Sequence, residues 1–190
     1  LMNKSFIIKI IVLCLVTIKV SAIEKVILFG DSLMAGYGLP KEQHLSAVLQ
    51  KSLEIDGYNI EIINGSVSGS TSAGGLNIAE WTLSESNINL MILCLGANDM
   101  LRGISPSETK NNLEEIIKIA KSKNIKVIIA GMIAPTSYGL EYKKSFDKIF
   151  FDLSKKHKLQ LIPFLLEGVA QNPEFNLSDG MHPNDQGTII

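Results

Sequence analysis

The feature that most constrains the fold of this chain is a repeated alternation of short apolar runs with longer amphipathic stretches. Five apolar runs rich in β-branched residues recur, the last weaker than the others: Lys25–Phe29, Asn59–Ile63, Leu90–Leu95, Lys126–Met132 and Leu159–Ile162. Amphipathic stretches separate them, at about Gln43–Ile55, Ser72–Glu85, Ser107–Ser122 and Tyr142–His157. Strands that alternate with helices are typical of a parallel sheet with right-handed crossovers and helices on both faces. The sequence therefore predicts one three-layer α/β/α domain with a five-stranded parallel sheet.

Two details of the pattern support this prediction. The runs are apolar without alternation, as expected for strands that are buried on both faces. Within Ser107–Ser122 the apolar residues fall three and four positions apart, at Leu113, Ile116, Ile117 and Ala120. That spacing is helical, and we expect Ser107 to cap the first turn of the helix.

Residues 1–22 have the composition of a secretory signal peptide. A short segment with two lysines precedes the apolar run 10–18, and the small residues Val20-Ser21-Ala22 follow it. We expect cleavage after Ala22, which leaves a mature domain at 23–190, secreted across the inner membrane to the periplasm. The alternative is a membrane anchor, but the apolar run is short for a span of about 20 residues. After cleavage the protein should be a monomer without a stable membrane anchor.

Charge and composition exclude several classes of function. The chain has 18 basic and 19 acidic residues, and removal of residues 1–22 takes away three lysines, which leaves 15 − 19 = −4. This balance gives no reason to expect a nucleic-acid partner. The three histidines are scattered along the chain, so neither a metal site nor a cofactor is predicted. Cys94 lies within an apolar run and should pack in the core.

Polar clusters follow the predicted strands. Three come directly after a strand and the fourth lies beyond the last one: Gly30–Leu33, Asn64–Gly69, Gly96–Asp99 and Asp179–Pro183. In an open parallel sheet the ligand site lies at the carboxyl ends of the strands. We therefore expect the four clusters to meet at one edge of the sheet and to form a single site.

Ser32 is the first candidate for chemistry at this edge. A serine in a turn after a strand is common and by itself indicates nothing more. A serine hydroxyl becomes an effective nucleophile when a histidine accepts its proton and an acid orients that histidine. Asp179 and His182 lie three positions apart, so one turn can place both side chains on the same side. We predict Ser32 as nucleophile, His182 as base and Asp179 as orienting acid, and we interpret His44 and His157 as solvated.

Such a reaction also needs hydrogen-bond donors for the oxyanion of the tetrahedral intermediate. Gly69 can bring a backbone N–H close to a ligand because it has no side chain. Asn98 can offer its side-chain amide, and the N–H of Ser32 is a third donor. Turn flexibility for Gly69 and a turn-forming Asn98-Asp99 pair are the alternatives.

Other sites fail on spacing. Met34 stands where the second glycine of the G-x-S-x-G nucleophile elbow is required. Gly75 stands where a phosphate-binding loop requires lysine, and Lys41 where a dinucleotide fold requires its last glycine.

The four polar clusters resemble the four blocks of the SGNH, or GDSL-type, hydrolases, over residues 25–187. The segments LGANDMLRGISP and LIPFLLEGV further resemble the periplasmic branch that acts as thioesterase, lysophospholipase and arylesterase. The resemblance implies a flavodoxin-like fold and serine ester hydrolysis without a cofactor. It gives the roles predicted above to Ser32, Gly69, Asn98, Asp179 and His182. Asp31 and Asp99 match family positions that look structural.

The resemblance also implies that a loop at about Met100–Pro106, which includes Arg102, moves over an acyl chain. Apolar side chains are expected near the site at Leu33, Leu101, Phe164 and Leu165. We predict that Leu33, Leu101, Arg102 and Phe164 contact a small-molecule substrate. The expected substrates are medium or long acyl esters or thioesters, lysophospholipids included.

Two alternatives stay open at this point. The same fold also serves esterases that remove O-acetyl groups from carbohydrate or peptidoglycan, and a non-catalytic periplasmic binding protein is a second possibility. Family members continue into a final helix, whereas this chain ends at Ile190, eight residues after His182. We therefore expect a truncated C-terminal helix that starts at Pro183–Gln186, with Asn184 as its cap.

Overall fold

The computed structural model of the protein describes residues 24–85 and 87–190. The predicted signal peptide, residues 1–22, lies outside the described residues. Within the described part of the chain, no helix is long and apolar enough to cross a membrane.

A parallel sheet of five strands forms the centre of the domain, in the order β2-β1-β3-β4-β5. The strands are β1 (Glu24–Gly30), β2 (Ile60–Asn64), β3 (Ile88–Cys94), β4 (Lys126–Ala130) and β5 (Gln160–Ile162). All four neighbouring pairs are parallel. The predicted fold class is thus confirmed, because strands buried on both faces keep the continuous apolar runs that the sequence shows.

The helices connect these strands. They are α1 (Ser32–Ala35), α2 (Leu45–Ile55), α3 (Ser72–Thr82), α4 (Ala97–Leu101), α5 (Pro106–Ser122) and α6 (Leu140–His157). Short 3₁₀ turns occur at Lys41–Gln43 and Thr136–Tyr138. The core lies between the sheet and the inner sides of α5 and α6, where Leu93, Ile116 and Phe146 are fully buried. Cys94 is buried there as well, as predicted, and burial raises the pKa of its thiol.

The cap of α5 differs from the prediction. Ser105, not Ser107, precedes the helix, and its hydroxyl accepts the backbone N–H of Glu108 at 3.2 Å. Pro106 takes the first helical position, where its fixed φ is favourable and its missing N–H costs no hydrogen bond. Because Pro106 fixes the start of the helix, Ser107 already lies inside the first turn.

The interpretation of His157 as solvated is wrong. Its side chain at the end of α6 is only 13% exposed, and its Nε2 lies 3.1 Å from Oε1 of Glu114 on α5. Lys156 contacts the same carboxylate at 2.6 Å. In the sequence His157 lies in a basic run, and its acidic partner Glu114 comes from another helix, so the local sequence does not reveal the pair.

His44 is half-buried, with Nε2 3.0 Å from the carbonyl oxygen of Leu39.

The last described residues, 183–190, form hydrogen-bonded turns rather than the predicted helix start. Asn184 nevertheless acts much as a cap does, because its Oδ1 accepts the N–H groups of Gln186 and Gly187, both at 3.0 Å. The N–H of Thr188 is bonded to the carbonyl of Asn184 at 3.0 Å.

Candidate active site

The first strand ends in a tight turn that carries Ser32. Asp31 is the N-cap of the one-turn helix α1, and its Oδ1 accepts the N–H of Leu33 at 3.1 Å. Gly36 closes the turn with φ 82°, a left-handed conformation that favours glycine. A side chain there would also collide with the ring of His44. Ser32 therefore sits on a single turn that is held at both ends.

Ser32, His182 and Asp179 form a continuous hydrogen-bonded chain. Nε2 of His182 lies 2.9 Å from Oγ of Ser32, and Nδ1 of His182 lies 2.7 Å from Oδ2 of Asp179. Ser32 and His182 are 150 positions apart in the sequence. With the imidazole neutral, Nδ1–H donates to the carboxylate and Nε2 accepts the serine proton, as catalysis by an activated serine requires.

Asp179 is held in its ionised form. Its Oδ1 accepts the backbone N–H groups of His182 at 3.0 Å and Met181 at 2.9 Å. These hydrogen bonds, together with the imidazole of His182, lower the pKa of Asp179 to about 2. The carboxylate is thus an acceptor at any pH near neutrality, and it fixes the tautomer of His182.

The segment that carries Asp179 and His182 is a compact loop. The backbone N–H of Leu177 donates to the carbonyl of His182 at 2.8 Å, and Asn176 pairs with Pro183 in an isolated bridge. The side chain of Asn184 donates to the carbonyl of Glu174 at 2.8 Å. These contacts close the loop on itself, so the position of His182 depends on polar contacts within the loop.

The candidate oxyanion donors lie at the same edge. Gly69 has φ 78°, which explains why glycine is needed in the loop after β2. Among the described residues, 24–85 and 87–190, its N–H is bonded to no protein acceptor. Asn98 lies on α4, directly after β3, and both residues line the same cavity as Ser32 and His182.

Two aspartates of the polar clusters are buried at this edge. Asp31 is 1% exposed, and its Oδ2 accepts Nδ2 of Asn98 at 3.2 Å. Burial raises the pKa of Asp31 to about 6, against the opposing effect of its hydrogen bonds. Asp99 is fully buried and accepts the N–H of Ser72 at 2.7 Å and the hydroxyl of Thr109 at 3.1 Å. Asp99 therefore ties α3 to α5, and it is not among the residues that line the cavity beside Ser32.

A cavity of about 820 Å³ opens beside Ser32. Three of the four predicted substrate contacts line it, namely Leu33, Leu101 and Phe164. Arg102 is not among its lining residues. Its Nη2 instead donates to the carbonyl of Gly69 at 2.9 Å. The side chain of Arg102 therefore bonds to the neighbouring loop, because the carbonyl oxygen of Gly69 offers its guanidinium a charge-assisted hydrogen bond.

The sequence analysis missed two parts of this site. Tyr37 packs on the imidazole of His182, with ring centroids 4.5 Å apart. Its place five positions after Ser32, on the same turn, was the available signal, and its N–H is bonded to the carbonyl of Ser32 at 3.2 Å. The segment 132–135 after β4 also lines the cavity. This segment is apolar, so it lacks the polar side chains by which the other parts of the site can be recognised in the sequence.

Within the described part of the chain, no group of three or more His, Cys, Asp or Glu side chains could hold a metal ion. The groups assembled at the cavity are a serine, an imidazole, a carboxylate, backbone N–H groups and a primary amide. This set suits acyl transfer through a serine nucleophile.

Comparisons with known proteins agree with this chemistry. The model of the GDSL-like Lipase/Acylhydrolase family matches residues 28–188. Esterase TesA of Pseudomonas aeruginosa is 36% identical over 163 residues, which cover 86% of this chain and 81% of the relative. An arylesterase of Vibrio mimicus is 36% identical over 165 residues, 87% of this chain and 82% of the relative. Thioesterase 1/protease 1/lysophospholipase L1 of Escherichia coli K12 is 31% identical over 172 residues, 90% and 81% of the two chains.

A solved structure is similar over the same length. AlinE4, an SGNH-hydrolase family esterase, superposes with a TM-score of 0.80 at 40% identity, over 87% of this chain and 88% of the other.

Proposed function

This chain belongs to the GDSL-like lipase/acylhydrolase family and is an ester hydrolase of that family, and we propose that it works through a Ser32–His182–Asp179 triad and a covalent acyl-enzyme. The observation that carries the proposal is the hydrogen-bonded chain from Ser32 Oγ to His182 Nε2, at 2.9 Å, and from His182 Nδ1 to Asp179, at 2.7 Å.

In the first half-reaction, Oγ of Ser32 attacks the carbonyl carbon of the ester or thioester as its proton moves to Nε2 of His182. The imidazolium that forms is stabilised by the carboxylate of Asp179. Collapse of the tetrahedral intermediate breaks the bond to the leaving alcohol or thiol, which takes the proton from His182. The acyl group stays on Ser32.

The negative charge of the intermediate develops on the former carbonyl oxygen. The N–H groups of Ser32 and Gly69 and the amide of Asn98 are the donors proposed to stabilise it. In the second half-reaction, His182 removes a proton from water, the hydroxide attacks the acyl carbon, and Ser32 leaves with the proton from His182. The products are a carboxylic acid and the free enzyme.

The proposed substrates are esters and thioesters of medium or long acyl chains. The cavity volume of about 820 Å³ is near the upper end of the range of about 300–1,000 Å³ for small-molecule sites. Leu33, Leu101, Met132 and Phe164 give it an apolar wall. An acetyl group would leave most of that wall in contact with water, so a longer chain gains more from binding.

A fluorophosphonate probe tests the nucleophile, because it labels only an activated serine. We expect the wild-type protein to be labelled and Ser32→Ala to be unlabelled and without esterase activity. A Ser66→Ala variant is the matched control, since Ser66 lies in a neighbouring loop and its hydroxyl donates to the carbonyl of Leu28 at 3.0 Å. Labelling of Ser32→Ala, or no labelling of the wild type, would contradict the proposed mechanism.

Hydrolysis of p-nitrophenyl esters from acetyl to dodecanoyl tests the substrate class. We expect kcat/KM to rise with chain length and then to level off once the cavity is filled. A maximum at acetyl would favour the O-acetyl esterase alternative.

We also propose that residues 1–22 direct secretion to the periplasm. Expression of the full chain in a Gram-negative host, followed by N-terminal sequencing of the periplasmic fraction, tests this proposal. The expected mature protein begins at Ile23. An uncleaved protein in the membrane fraction would show that the segment is an anchor.

A further inference from the structure

Asp31 lies between two of the proposed oxyanion donors and has no role in the reaction described above. Its two carboxylate oxygens have different partners. Oδ1 accepts the N–H of Leu33 at 3.1 Å and so fixes the turn that carries Ser32. Oδ2 accepts Nδ2 of Asn98 at 3.2 Å, across 67 positions of sequence. One buried carboxylate therefore contacts two of the three segments that supply the proposed oxyanion donors, the turn of Ser32 and the helix of Asn98.

The chemistry of an amide makes the second contact selective. The side chain of Asn98 can present either its oxygen or its NH₂ group in a given direction. An ionised carboxylate accepts hydrogen bonds and donates none, so only the NH₂ end of Asn98 can face Asp31 favourably. That nitrogen carries two hydrogens. Donation of one to Asp31 leaves the other free.

We propose that Asp31 is a positioning residue for the oxyanion hole, whose carboxylate selects the amide orientation in which Asn98 offers an N–H to the substrate. This inference rests on the proposed function, because it assigns Asn98 to the oxyanion. It goes beyond that function in giving a role to a side chain that does not touch the substrate.

The surroundings of Asp31 agree with a carboxylate that is buried for this purpose. Asp31 is 1% exposed, and burial raises its pKa to about 6. The titratable groups near it are the imidazole of His182 and the thiol of Cys94. Burial of a charge is costly, and the hydrogen bonds to both oxygens offset only part of that cost. At pH 8, well above its pKa, Asp31 is ionised and acts as an acceptor only.

The substitution Asp31→Asn tests the proposal with almost no change of shape. If the new amide keeps its oxygen on the N–H of Leu33, its NH₂ group faces Asn98, which can then respond only with its oxygen. Asn98 would be turned over, and the donor would be misplaced. At pH 8 we expect kcat to fall roughly 10- to 100-fold, with little change in KM. The upper limit is the loss of about 10²–10³-fold that is typical when one oxyanion donor is removed.

A double-mutant cycle separates this role from general support of the fold. With Asn98→Ala already present there is no amide to orient, so adding Asp31→Asn should change kcat by less than about threefold. Equal losses in both backgrounds, or a wild-type kcat for Asp31→Asn alone, would overturn the proposal. Asp56→Asn, an exposed carboxylate beyond α2, is the matched control and should have wild-type kinetics.

A spectroscopic measurement covers the case in which Asp31→Asn does not fold. In a His182→Ala protein, where the imidazole is absent, the side-chain NH₂ resonances of Asn98 should shift with pH, with a midpoint at or above about 6. Resonances that do not respond to pH would contradict the pairing. Failure of the proposed function has a different signature, because the wild type would then remain unlabelled by fluorophosphonate whatever Asn98 does.

Discussion

At the scale of single residues, the site combines one carboxylate that is stabilised as an ion with one that is not. Hydrogen bonds lower the pKa of Asp179 to about 2, whereas burial raises that of Asp31 from 3.8 to about 6. Between pH 3.8 and about pH 6, Asp31 is protonated in the folded state but ionised in the unfolded state. The contribution of Asp31 to the free energy of unfolding therefore falls as pH rises from about 4 to 6, by roughly 3 kcal/mol for a shift of about two units.

Asp31→Asn should remove this pH dependence, because an amide does not ionise. Between pH 4 and pH 7.5, the free energy of unfolding of the variant should rise by up to about 3 kcal/mol relative to that of the wild type. A loss from the altered hydrogen bond, equal at both pH values, would not change this rise. Urea unfolding at both pH values measures the difference. The exposed control Asp56→Asn should show no such gain. If the difference in the free energy of unfolding between variant and wild type is the same at both pH values, ionisation of Asp31 does not destabilise the folded state.

At the scale of elements, the proposed nucleophile and the other two members of the proposed triad lie on different kinds of local structure. Ser32 stands on a one-turn helix at the end of β1, while Asp179 and His182 stand on a loop outside the described helices and strands. Asn184 makes four hydrogen bonds with its side chain in that loop, two as acceptor and two as donor. The geometry of His182 thus depends on Asn184, although Asn184 does not line the cavity.

Asn184→Ala should therefore loosen the loop and reduce activity together with stability. We expect a loss of about 1–3 kcal/mol in the free energy of unfolding, since Asn176 and Gly187, the two buried partners of the Asn184 side chain, lose a hydrogen bond each. kcat should fall because fewer molecules hold His182 within reach of Ser32. Thermal unfolding and ester kinetics at the same temperature measure both effects. Gln186→Ala, at an exposed neighbouring position, is the control. An Asn184→Ala protein that is destabilised but keeps its kcat would show that activity does not depend on the order of this loop.

At the scale of the whole molecule, the core and the proposed reacting groups are separate. The core residues lie between the sheet and the helices, and Leu93 is among those with no exposed surface. The reacting groups lie beyond the carboxyl ends of the strands, where the cavity opens. Stability and catalysis should therefore respond to different substitutions.

The pair Leu93→Ala and Ser32→Ala tests this separation. Leu93→Ala should cost about 2–5 kcal/mol, through lost burial and the cavity that remains, but the folded fraction should keep its kcat. Ser32→Ala should leave the free energy of unfolding within about 0.5 kcal/mol of the wild type and abolish turnover. Chemical unfolding and active-site titration measure the two quantities. A strongly destabilised Ser32→Ala protein would show that the triad helps to hold the fold.

The sequence by itself determined the strands, the main helices and the edge at which the site lies. Strands buried on both faces require continuous apolar runs, and amphipathic helices require a period near 3.6 residues, so both can be recognised from neighbouring residues. Because the carboxyl ends of parallel strands meet, the positions of Ser32, Gly69 and Asn98 after strands were enough to place them together.

Only the tertiary structure decided which side chains pair. Three contacts join segments that are distant in sequence: Asp31 with Asn98, Arg102 with Gly69, and Tyr37 with His182. The same applies to His157, which a local basic run suggested to be solvated but which meets Glu114 on another helix. A hydrogen bond or a ring contact requires atoms within a few ångströms and in a specific orientation. That orientation is set by how the helices and loops pack on the sheet, which no local period in the sequence encodes.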